Sequence, residues 1–202
     1  MLPIRCCGSR GGPISVLPDM QVIPTDIPDV KILVPKQFKD HRGFFSEVYS
    51  RKAMAEAGIT SEFLQDNHSL SVEKGVLRGL HYQVPPMAQD KLIRVIRGAI
   101  LDVAVDVRRS SPTFGKHVSA LVSADNWRQV YIPAGFAHGF VTLEAHTEVL
   151  YKVTAFYSPT HERGIRWNDP DLAIEWGLSD GEAILSSRDL HHPPLAAATD
   201  LF

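Results

Sequence analysis

Short segments in which two faces alternate residue by residue constrain the fold of this chain most strongly. In Gly98–Val107, with the sequence GAILDVAVDV, the odd-numbered positions from 101 to 107 are apolar and lie on one face of an extended strand. The even-numbered positions lie on the other face and carry two aspartates. Thr147–Phe156 repeats the period of two, with Val149 and Tyr151 in phase. The alternation predicts two β-strands and is compatible with two sheets that share one interior.

Further strand candidates are short and are separated by Gly, Pro, Asn or Asp; they lie at residues 30–35, 44–49, 63–70, 76–83, 91–97, 117–123, 128–132 and 138–144. Helical patterns are scarce. Ser50 is a candidate cap for a short helix over Arg51–Ala57 that Gly58 ends, and another helical turn is expected near Ser186. About ten short strands with so little helix predict an all-β fold, either a sandwich or a barrel.

The length of 202 residues suggests one domain with tails. We predict a domain over residues 20–190, preceded by a disordered extension over residues 1–19 that is rich in Gly and Pro. Met20 is a plausible alternative start. The stretch 191–202 contains Pro193, Pro194 and several alanines. It is expected to form either an irregular wrap or a loose end.

Composition excludes several classes of protein. Hydrophobic residues make up 44% of the chain and charged residues 22%, as in folded globular domains. The net charge of −2 gives no general basic field for nucleic acid, and no apolar run approaches the length of a membrane span. The two cysteines, Cys6 and Cys7, are adjacent, so we expect no disulfide framework and a cytoplasmic location.

Part of the chain resembles the two sequence motifs of the cupin superfamily. Pro133, Gly135 and His138 match the second motif. The first motif normally offers His-x-His and a later Glu as metal ligands, but here His81 is followed two residues later by Gln83, and Lys91 lies near the acidic position. One histidine from each motif is a poor metal site. We therefore expect no metal and no other cofactor.

A more specific resemblance covers about Ile23 to Leu190. The strings GVLRGLHYQ, IPAGFAHGF, YKVTAFYSP and GIRWNDP together resemble the dTDP-4-dehydrorhamnose 3,5-epimerase family. The resemblance implies a cupin-type jelly roll or β-sandwich with a few short peripheral helices. It also implies a homodimer formed through exchanged strands and a nucleotide-linked 4-keto-6-deoxyhexose, carried on dTDP, as substrate. The ketone acidifies the hydrogens at C3 and C5, so inversion needs a base, an acid on the opposite face and a group that stabilises the enolate oxygen.

The resemblance assigns these roles residue by residue. His81 matches the base, since imidazole gains and loses protons near neutral pH, and Asp189 matches the carboxylate that orients it. Tyr151 matches the acid, and Lys91 matches the residue near the ketone oxygen. Each also has a simpler interpretation: a core histidine, a surface helix-start carboxylate, a core tyrosine and a solvated lysine. Asp169 in the WNDP string is a rival for the carboxylate, unless it shapes a turn.

Other matched positions are predicted to contact the substrate; they are Arg42, Glu47, Gln65, Asn67, Arg78, His138, Tyr157 and Glu162. Arginine suits a diphosphate, Gln and Asn suit the polar edge of thymine, and Phe44 could stack on that base. Arg78 and His81 differ by an odd number of residues, so a regular strand would point them to opposite faces. Either a bulge near Gly79 corrects this, or Arg78 serves a pocket shared with another subunit.

Three alternative functions remain at this point. The same fold could invert only C3 or only C5, or move the ketone. A non-catalytic module that binds sugar nucleotides is the second alternative, and the joint presence of His81, Tyr151 and Lys91 argues against it. A metal-dependent cupin oxygenase is the third, and Gln83 and Lys91 disfavour it.

Overall fold

The structure is a computed structural model that describes residues 15–17, 19–179 and 181–202. Strands dominate these ranges: β1 (Ser15–Val16), β2 (Met20–Pro24), β3 (Lys31–Pro35), β4 (Phe38–Asp40), β5 (Gly43–Phe45), β6 (Gln65–Ser71), β7 (Leu77–Gln83), β8 (Lys91–Arg97), β9 (Ala99–Asp106), β10 (His117–Ser123), β11 (Gln129–Ile132), β12 (Phe136–Thr142), β13 (Thr147–Val153) and β14 (Glu162–Gly164). The helical elements are α1 (Arg51–Glu56) and two 3₁₀ turns, Asp189–His191 and Leu195–Ala197. None of the helices described is long and apolar enough to cross a membrane.

The strands in the described ranges form two larger antiparallel sheets and a small hairpin. One sheet has seven strands in the order β1-β2-β3-β11-β8-β13-β6, and the other has five in the order β10-β9-β12-β7-β14. The separate hairpin is β4-β5. The two alternating segments of the sequence fall in different sheets, β9 in the smaller and β13 in the larger. The predicted all-β, cupin-like sandwich is confirmed.

Apolar side chains fill three layers around these sheets. Between the sheets, Ile93 of β8 belongs to the same buried cluster as Ile100 and Ala104 of β9. The opposite face of β9 packs its odd-numbered residues, among them Val103, against C-terminal side chains such as Trp176. A third cluster buries the outer face of the larger sheet beneath α1. Both faces of β9 are therefore covered. The alternating side chains of β9 lie in two different buried clusters, and neither face of the strand is turned to solvent.

The chain termini pack on this framework. In the stretch 191–202, Leu195 and Ala198 are buried. The backbone of Phe202 accepts a hydrogen bond from Arg109 and donates one to Val107. This stretch is the irregular wrap of the two alternatives, not a loose end. Most of the predicted disordered extension, residues 1–14 and 18, lies outside the described residues, while β1 pairs with β2.

Several boundaries differ from the sequence prediction. The strand predicted at residues 44–49 was wrong beyond Phe45, because this segment leaves the β4-β5 hairpin and continues without strand pairing toward α1. The strands β1, β2, β4 and β14 were not predicted. They have only two to five residues each, which is too short for an alternating pattern to identify them. The helix α1 begins at Arg51 as predicted, although the Ser50 side chain makes no capping hydrogen bond.

Candidate active site

A cavity of about 520 Å³ lies between the inward faces of the two sheets. Both sheets contribute: β6, β8 and β13 from the larger one, and β7 and β12 from the smaller one. Its lining includes ten of the twelve predicted site residues: Gln65, Asn67, Arg78, His81, Lys91, His138, Tyr151, Tyr157, Glu162 and Asp189. Residues that are up to 124 positions apart, from 65 to 189, therefore meet around one space.

His81 and Asp189 form a hydrogen-bonded pair in the wall of this cavity. His81 Nε2 lies 2.6 Å from Asp189 Oδ1, although the residues are 108 positions apart. Asp189 is almost fully buried, and its other oxygen accepts a hydrogen bond from Ser186 Oγ at 2.7 Å. Burial would raise the pKa of Asp189, but the hydrogen bonds from His81 and Ser186 outweigh it and lower that pKa to about 2.

The ionised Asp189 settles which nitrogen of His81 carries the proton. A carboxylate only accepts hydrogen bonds, so His81 Nε2 donates, and in the neutral form of the ring the lone pair is on Nδ1. The pair can therefore present an unprotonated Nδ1 as a base. Asp169 does not compete for this place: its carboxylate accepts hydrogen bonds from the backbone N–H groups of Asp171 and Leu195. It shapes the local turn and holds the C-terminal wrap.

A β-bulge resolves the parity problem between Arg78 and His81. Across β7 and β12, Arg78 pairs with Phe140 and His81 pairs with His138, so three steps on one strand face two on the other. The extra residue is Gly79, whose φ of +127° favours glycine. A Cβ there would overlap Gly139 on the neighbouring strand. The bulge turns both side chains toward the cavity, as the first of the two explanations required.

A second histidine–carboxylate pair lies beside the first. His138, which pairs with His81 across the strands, places Nε2 2.7 Å from Asp102 Oδ2, and both residues are buried. Burial lowers the pKa of His138, while the negative charge of Asp102 opposes that shift. A neutral His138 that donates from Nε2 to Asp102 keeps Nδ1 as an acceptor for a hydroxyl group.

Lys91 is the buried cation of the site. It is 8% exposed, and its ammonium donates a hydrogen bond to the His81 carbonyl oxygen at 3.1 Å. Burial lowers the pKa of Lys91 to about 8, while Asp102 and Glu162 oppose the shift. At neutral pH the group is therefore still an ammonium. A poorly hydrated ammonium stabilises a nearby negative oxygen more strongly than a solvated one.

Tyr151 faces the cavity from the opposite sheet. It lies on β13 in phase with Val149 and packs against the core between the sheets, while β7 supplies His81 from the smaller sheet. Burial raises the pKa of Tyr151, and the nearby Arg78 opposes that shift. The hydroxyl therefore remains protonated at neutral pH and is available as a donor.

Polar side chains surround the outer part of the cavity. Tyr157 donates to Glu162 Oε2 at 2.8 Å, and Arg188 forms a hydrogen-bonded ion pair with the same carboxylate oxygen. Arg188 is half exposed, so it can exchange this partner for an anionic ligand. Sequence reasoning did not select Arg188.

Two predicted contact residues lie away from this lining within the described chain. Arg42 is exposed in the β4-β5 hairpin, where its Nε donates to Asp40 Oδ2 at 3.0 Å. Glu47 is exposed just after β5. Phe44, suggested for stacking on a base, is also exposed and packs edge-on against Trp127. One chain alone does not bring these residues to its own cavity.

The residues at the cupin ligand positions do not fit a metal. The Gln83 amide donates to two backbone carbonyl groups, those of Met87 and Phe156. His138 already uses Nε2 on Asp102, and the Lys91 ammonium lies in the same cavity. A divalent cation there would meet one positive charge and few free ligands.

Sequence reasoning also missed the partner of His138. Asp102 lies on the inward face of β9 between Ile100 and Ala104, which both belong to the core between the sheets. A carboxylate among buried apolar neighbours requires a polar partner. An aspartate at an inward-facing strand position could therefore have been predicted from the sequence to have a polar partner. The local pattern does not identify which residue that partner is.

Comparison with known proteins shows which family the chain resembles. The family model described as dTDP-4-dehydrorhamnose 3,5-epimerase matches residues 24–197. A dTDP-4-dehydrorhamnose 3,5-epimerase from Pseudomonas aeruginosa is 56% identical over 164 residues, which cover 81% of this chain and 89% of the relative.

Solved structures share the fold as well. The dTDP-6-deoxy-D-glucose-3,5-epimerase of Legionella pneumophila, in complex with dTDP-4-keto-L-rhamnose, is 46% identical with a TM-score of 0.85; the match covers 89% of this chain and 95% of that one. A 3'-monoepimerase from Streptomyces bikiniensis, in complex with dTDP-quinovose, is 35% identical with a TM-score of 0.78, covering 86% and 87% of the two chains. With a family match over most of its length and relatives above half identity, the chain belongs to the dTDP-4-dehydrorhamnose 3,5-epimerase family.

Proposed function

We propose that this protein converts dTDP-4-dehydro-6-deoxyglucose to dTDP-4-dehydrorhamnose by inverting C3 and C5 through enolate intermediates. One observation carries the proposal. His81 on β7 and Tyr151 on β13 face one cavity from two different sheets, and His81 is held by the buried Asp189. A sugar ring bound between the sheets would meet a base on one face and an acid on the other.

Proton removal falls to His81. Its Nδ1 takes the hydrogen next to the C4 ketone, and the imidazolium that forms is stabilised by the carboxylate of Asp189 on Nε2. The electron pair of the broken C–H bond moves into the C3–C4 or C4–C5 bond and onto the ketone oxygen. Because one imidazole serves both carbons, the proton must pass from His81 to solvent between the two inversions.

Lys91 stabilises the charge that develops on the oxygen. Its buried ammonium is already oriented by the His81 carbonyl oxygen, so little reorganisation is needed when the enolate forms. Reprotonation on the opposite face falls to the Tyr151 hydroxyl, since an enolate carbon is far more basic than a phenolate. The phenolate that results is then reprotonated by solvent.

Recognition of the substrate uses the polar rim. Arg78 and Arg188 are the cations available for a diphosphate, and Gln65 and Asn67 on β6 offer amide groups for a pyrimidine edge. Gln65 Nε2 donates to Asn67 Oδ1 at 2.8 Å, which orients both amides. Support for dTDP as the carrier comes from the Legionella relative, which is in complex with dTDP-4-keto-L-rhamnose.

A homodimer in the cytoplasm is part of the proposal. The β4-β5 hairpin exposes Phe38, Phe44 and Phe45, and β6 is the last strand on its edge of the larger sheet in the described chain. An exposed apolar hairpin and an open strand edge are features that a second copy can cover. Exchange of the hairpin between subunits would bring Arg42 to the cavity of the partner.

Mixing two inactive variants tests this exchange. Arg42→Ala and His81→Asn each remove one residue of the site. In a mixed dimer, the subunit with Arg42→Ala keeps its own His81 and receives the intact Arg42 of the other subunit, so one of the two sites is complete. After the two variants are unfolded and refolded together, we expect activity at low substrate concentration to recover to about a quarter of wild type, since half of the dimers are mixed and each has one intact site. No recovery would show that Arg42 acts within its own chain or not at all.

Conversion of the substrate tests the proposal as a whole. Purified protein incubated with dTDP-4-dehydro-6-deoxyglucose should form the inverted ketosugar, measured by coupling to a reductase specific for the product. A protein that binds dTDP but leaves the ketosugar unchanged would be a binding module. The relation to the Streptomyces 3'-monoepimerase favours inversion at C3 alone as the second candidate function.

A further inference from the structure

A third polar residue lies beside the His81–Asp189 pair. His192 lies in the C-terminal wrap, with its Nε2 3.8 Å from Asp189 Oδ1. Its ring stands edge-on to the ring of His81, with centroids 5.4 Å apart. His192 has no role in the proposed epimerisation mechanism.

His192 is held close to the pair although its inner nitrogen has no partner. Among the described residues, Nε2 of His192 is one of two buried side-chain nitrogen or oxygen atoms without a hydrogen bond. A Cβ at position 164 would overlap the His192 ring, so Gly164 on β14 provides the space that the ring occupies. A buried imidazole nitrogen that lacks a partner costs free energy unless something binds to it.

Three potential metal-binding atoms converge here. His81, Asp189 and His192 each offer one ligand atom, and these three atoms all lie within 4.8 Å of one another. Asp189 Oδ1 lies 2.6 Å from His81 Nε2 and 3.8 Å from His192 Nε2. Two imidazole nitrogens and one carboxylate oxygen are ligands that Zn²⁺ accepts, with a fourth position left for water. Bond lengths of about 2.0–2.2 Å place tetrahedral ligands about 3.3–3.6 Å apart. Shifts of about 1 Å or less bring both imidazole nitrogens to that distance from Asp189 Oδ1, and the two nitrogens must also come to that distance from each other.

A second cavity borders this cluster. It has a volume of about 350 Å³ and is lined by His192 but not by His81 or Asp189, which line the larger substrate cavity. Glu162 and Arg188 line both cavities. The cluster thus lies between two cavities, and an ion could reach it from the smaller one. Such an ion need not occupy the space of the sugar ring.

We propose that His81, Asp189 and His192 form an inhibitory site for Zn²⁺ that switches the epimerase off reversibly. The inhibitory part rests on the proposed function. The ion takes the lone pair at His81 Nε2, and the proton that Nε2 donated to Asp189 moves to Nδ1. The protonated Nδ1 cannot abstract a hydrogen, so the base is lost although the substrate cavity stays open. This site shares His81 with the cupin ligand positions but takes its other two ligands, Asp189 and His192, from outside them.

The test begins with protein stripped by a chelator and dialysed free of it, in a buffer that does not bind metal. Zn²⁺ binding is measured by calorimetry, Co²⁺ binding by visible absorption, and epimerisation at saturating substrate as a function of Zn²⁺. For wild type we expect one equivalent of metal, a tetrahedral Co²⁺ spectrum and loss of activity over the same range of concentration. His192→Phe keeps a ring but removes the ligand, and should weaken Zn²⁺ binding and inhibition at least about tenfold.

His191→Phe is the matched control, because His191 is exposed and bonds to the Ser187 carbonyl oxygen outside the cluster. It should bind Zn²⁺ as wild type does. Should His192→Phe fold poorly, judged by dTDP affinity, His192→Gln replaces it. Wild type that binds no Zn²⁺, binds without inhibition, or is inhibited as strongly after His192 is replaced would overturn the proposal. Stoichiometric binding that depends on His192, in a protein without turnover, would instead contradict the proposed function and leave the metal site standing.

Discussion

We expect His81→Asn to abolish detectable hydrogen exchange at both C3 and C5 and to lower kcat by about 10²–10⁴-fold, the usual contribution of a general base. Asparagine ends short of the Nε2 position, so Asp189 loses this partner but keeps the hydrogen bond from Ser186 Oγ. Asparagine has no group that accepts a proton near neutral pH. Exchange is measured by proton NMR in deuterated water, and kcat by coupling to a product-specific reductase.

Nucleotide binding separates loss of chemistry from loss of fold in this variant. The affinity for dTDP should stay within a few-fold of wild type, since the proposed mechanism places His81 against the sugar ring and not against the base. His68→Asn is the matched control: His68 lies on β6, is bonded to Glu148 and is absent from the described lining of the cavity. Exchange in His81→Asn within a few-fold of wild type would remove His81 from the mechanism.

Tyr151→Phe should separate the two halves of the reaction. The proton that His81 removes can return from the same side, which gives exchange without inversion, whereas inversion needs a donor on the other face. We expect this variant to retain measurable exchange at C3 or C5 but to lose most of its inverted product, by about 10²-fold or more. Both rates are measured on one sample, exchange by NMR and product by the coupled reductase.

The outcomes for Tyr151 discriminate between specific roles. The aromatic ring remains and only the hydroxyl is lost, so the fold should change little. Tyr49→Phe is the control: Tyr49 packs on Phe63 on the outer side of the larger sheet, and its loss of a hydroxyl should also leave the fold little changed. If exchange and product fall equally, Tyr151 also takes part in forming the enolate, and the role of Lys91 weakens. If neither falls, Tyr151 is a core tyrosine, and Tyr157 becomes the candidate acid.

The local pattern of apolar and polar residues was sufficient to predict most of the strands, because side chains of a strand alternate between its two faces with a period of two residues. The strand β9 was predicted within one residue at each end, and β8 was predicted at its observed bounds. Pattern failed where an element is too short to repeat, as in β14, or where its partner is distant in sequence. The C-terminal wrap is such a case, since Leu195 is fixed by Asp169 across 26 positions.

For the site, motif resemblance selected residues and the structure supplied their partners. His81 and Asp189 were proposed together, but the 2.6 Å contact depends on how the segment after Ser186 folds back on β7. The bulge at Gly79 remained one of two options, because strand parity alone cannot reveal an extra residue. His192 was not selected at all, since the space for its ring is created by the missing side chain of Gly164, on a strand far away in sequence.

Position-resolved exchange in the wild-type protein tests the central claim most directly. dTDP-4-dehydro-6-deoxyglucose is incubated with the enzyme in deuterated water, and the C3 and C5 proton signals are followed by NMR until the coupled product accumulates. One base and one acid facing each other across the cavity predict deuterium at both carbons and inversion of both. Exchange confined to one carbon would show a single-site epimerase, and no exchange at either carbon would contradict the assignment of His81 and Tyr151 as base and acid.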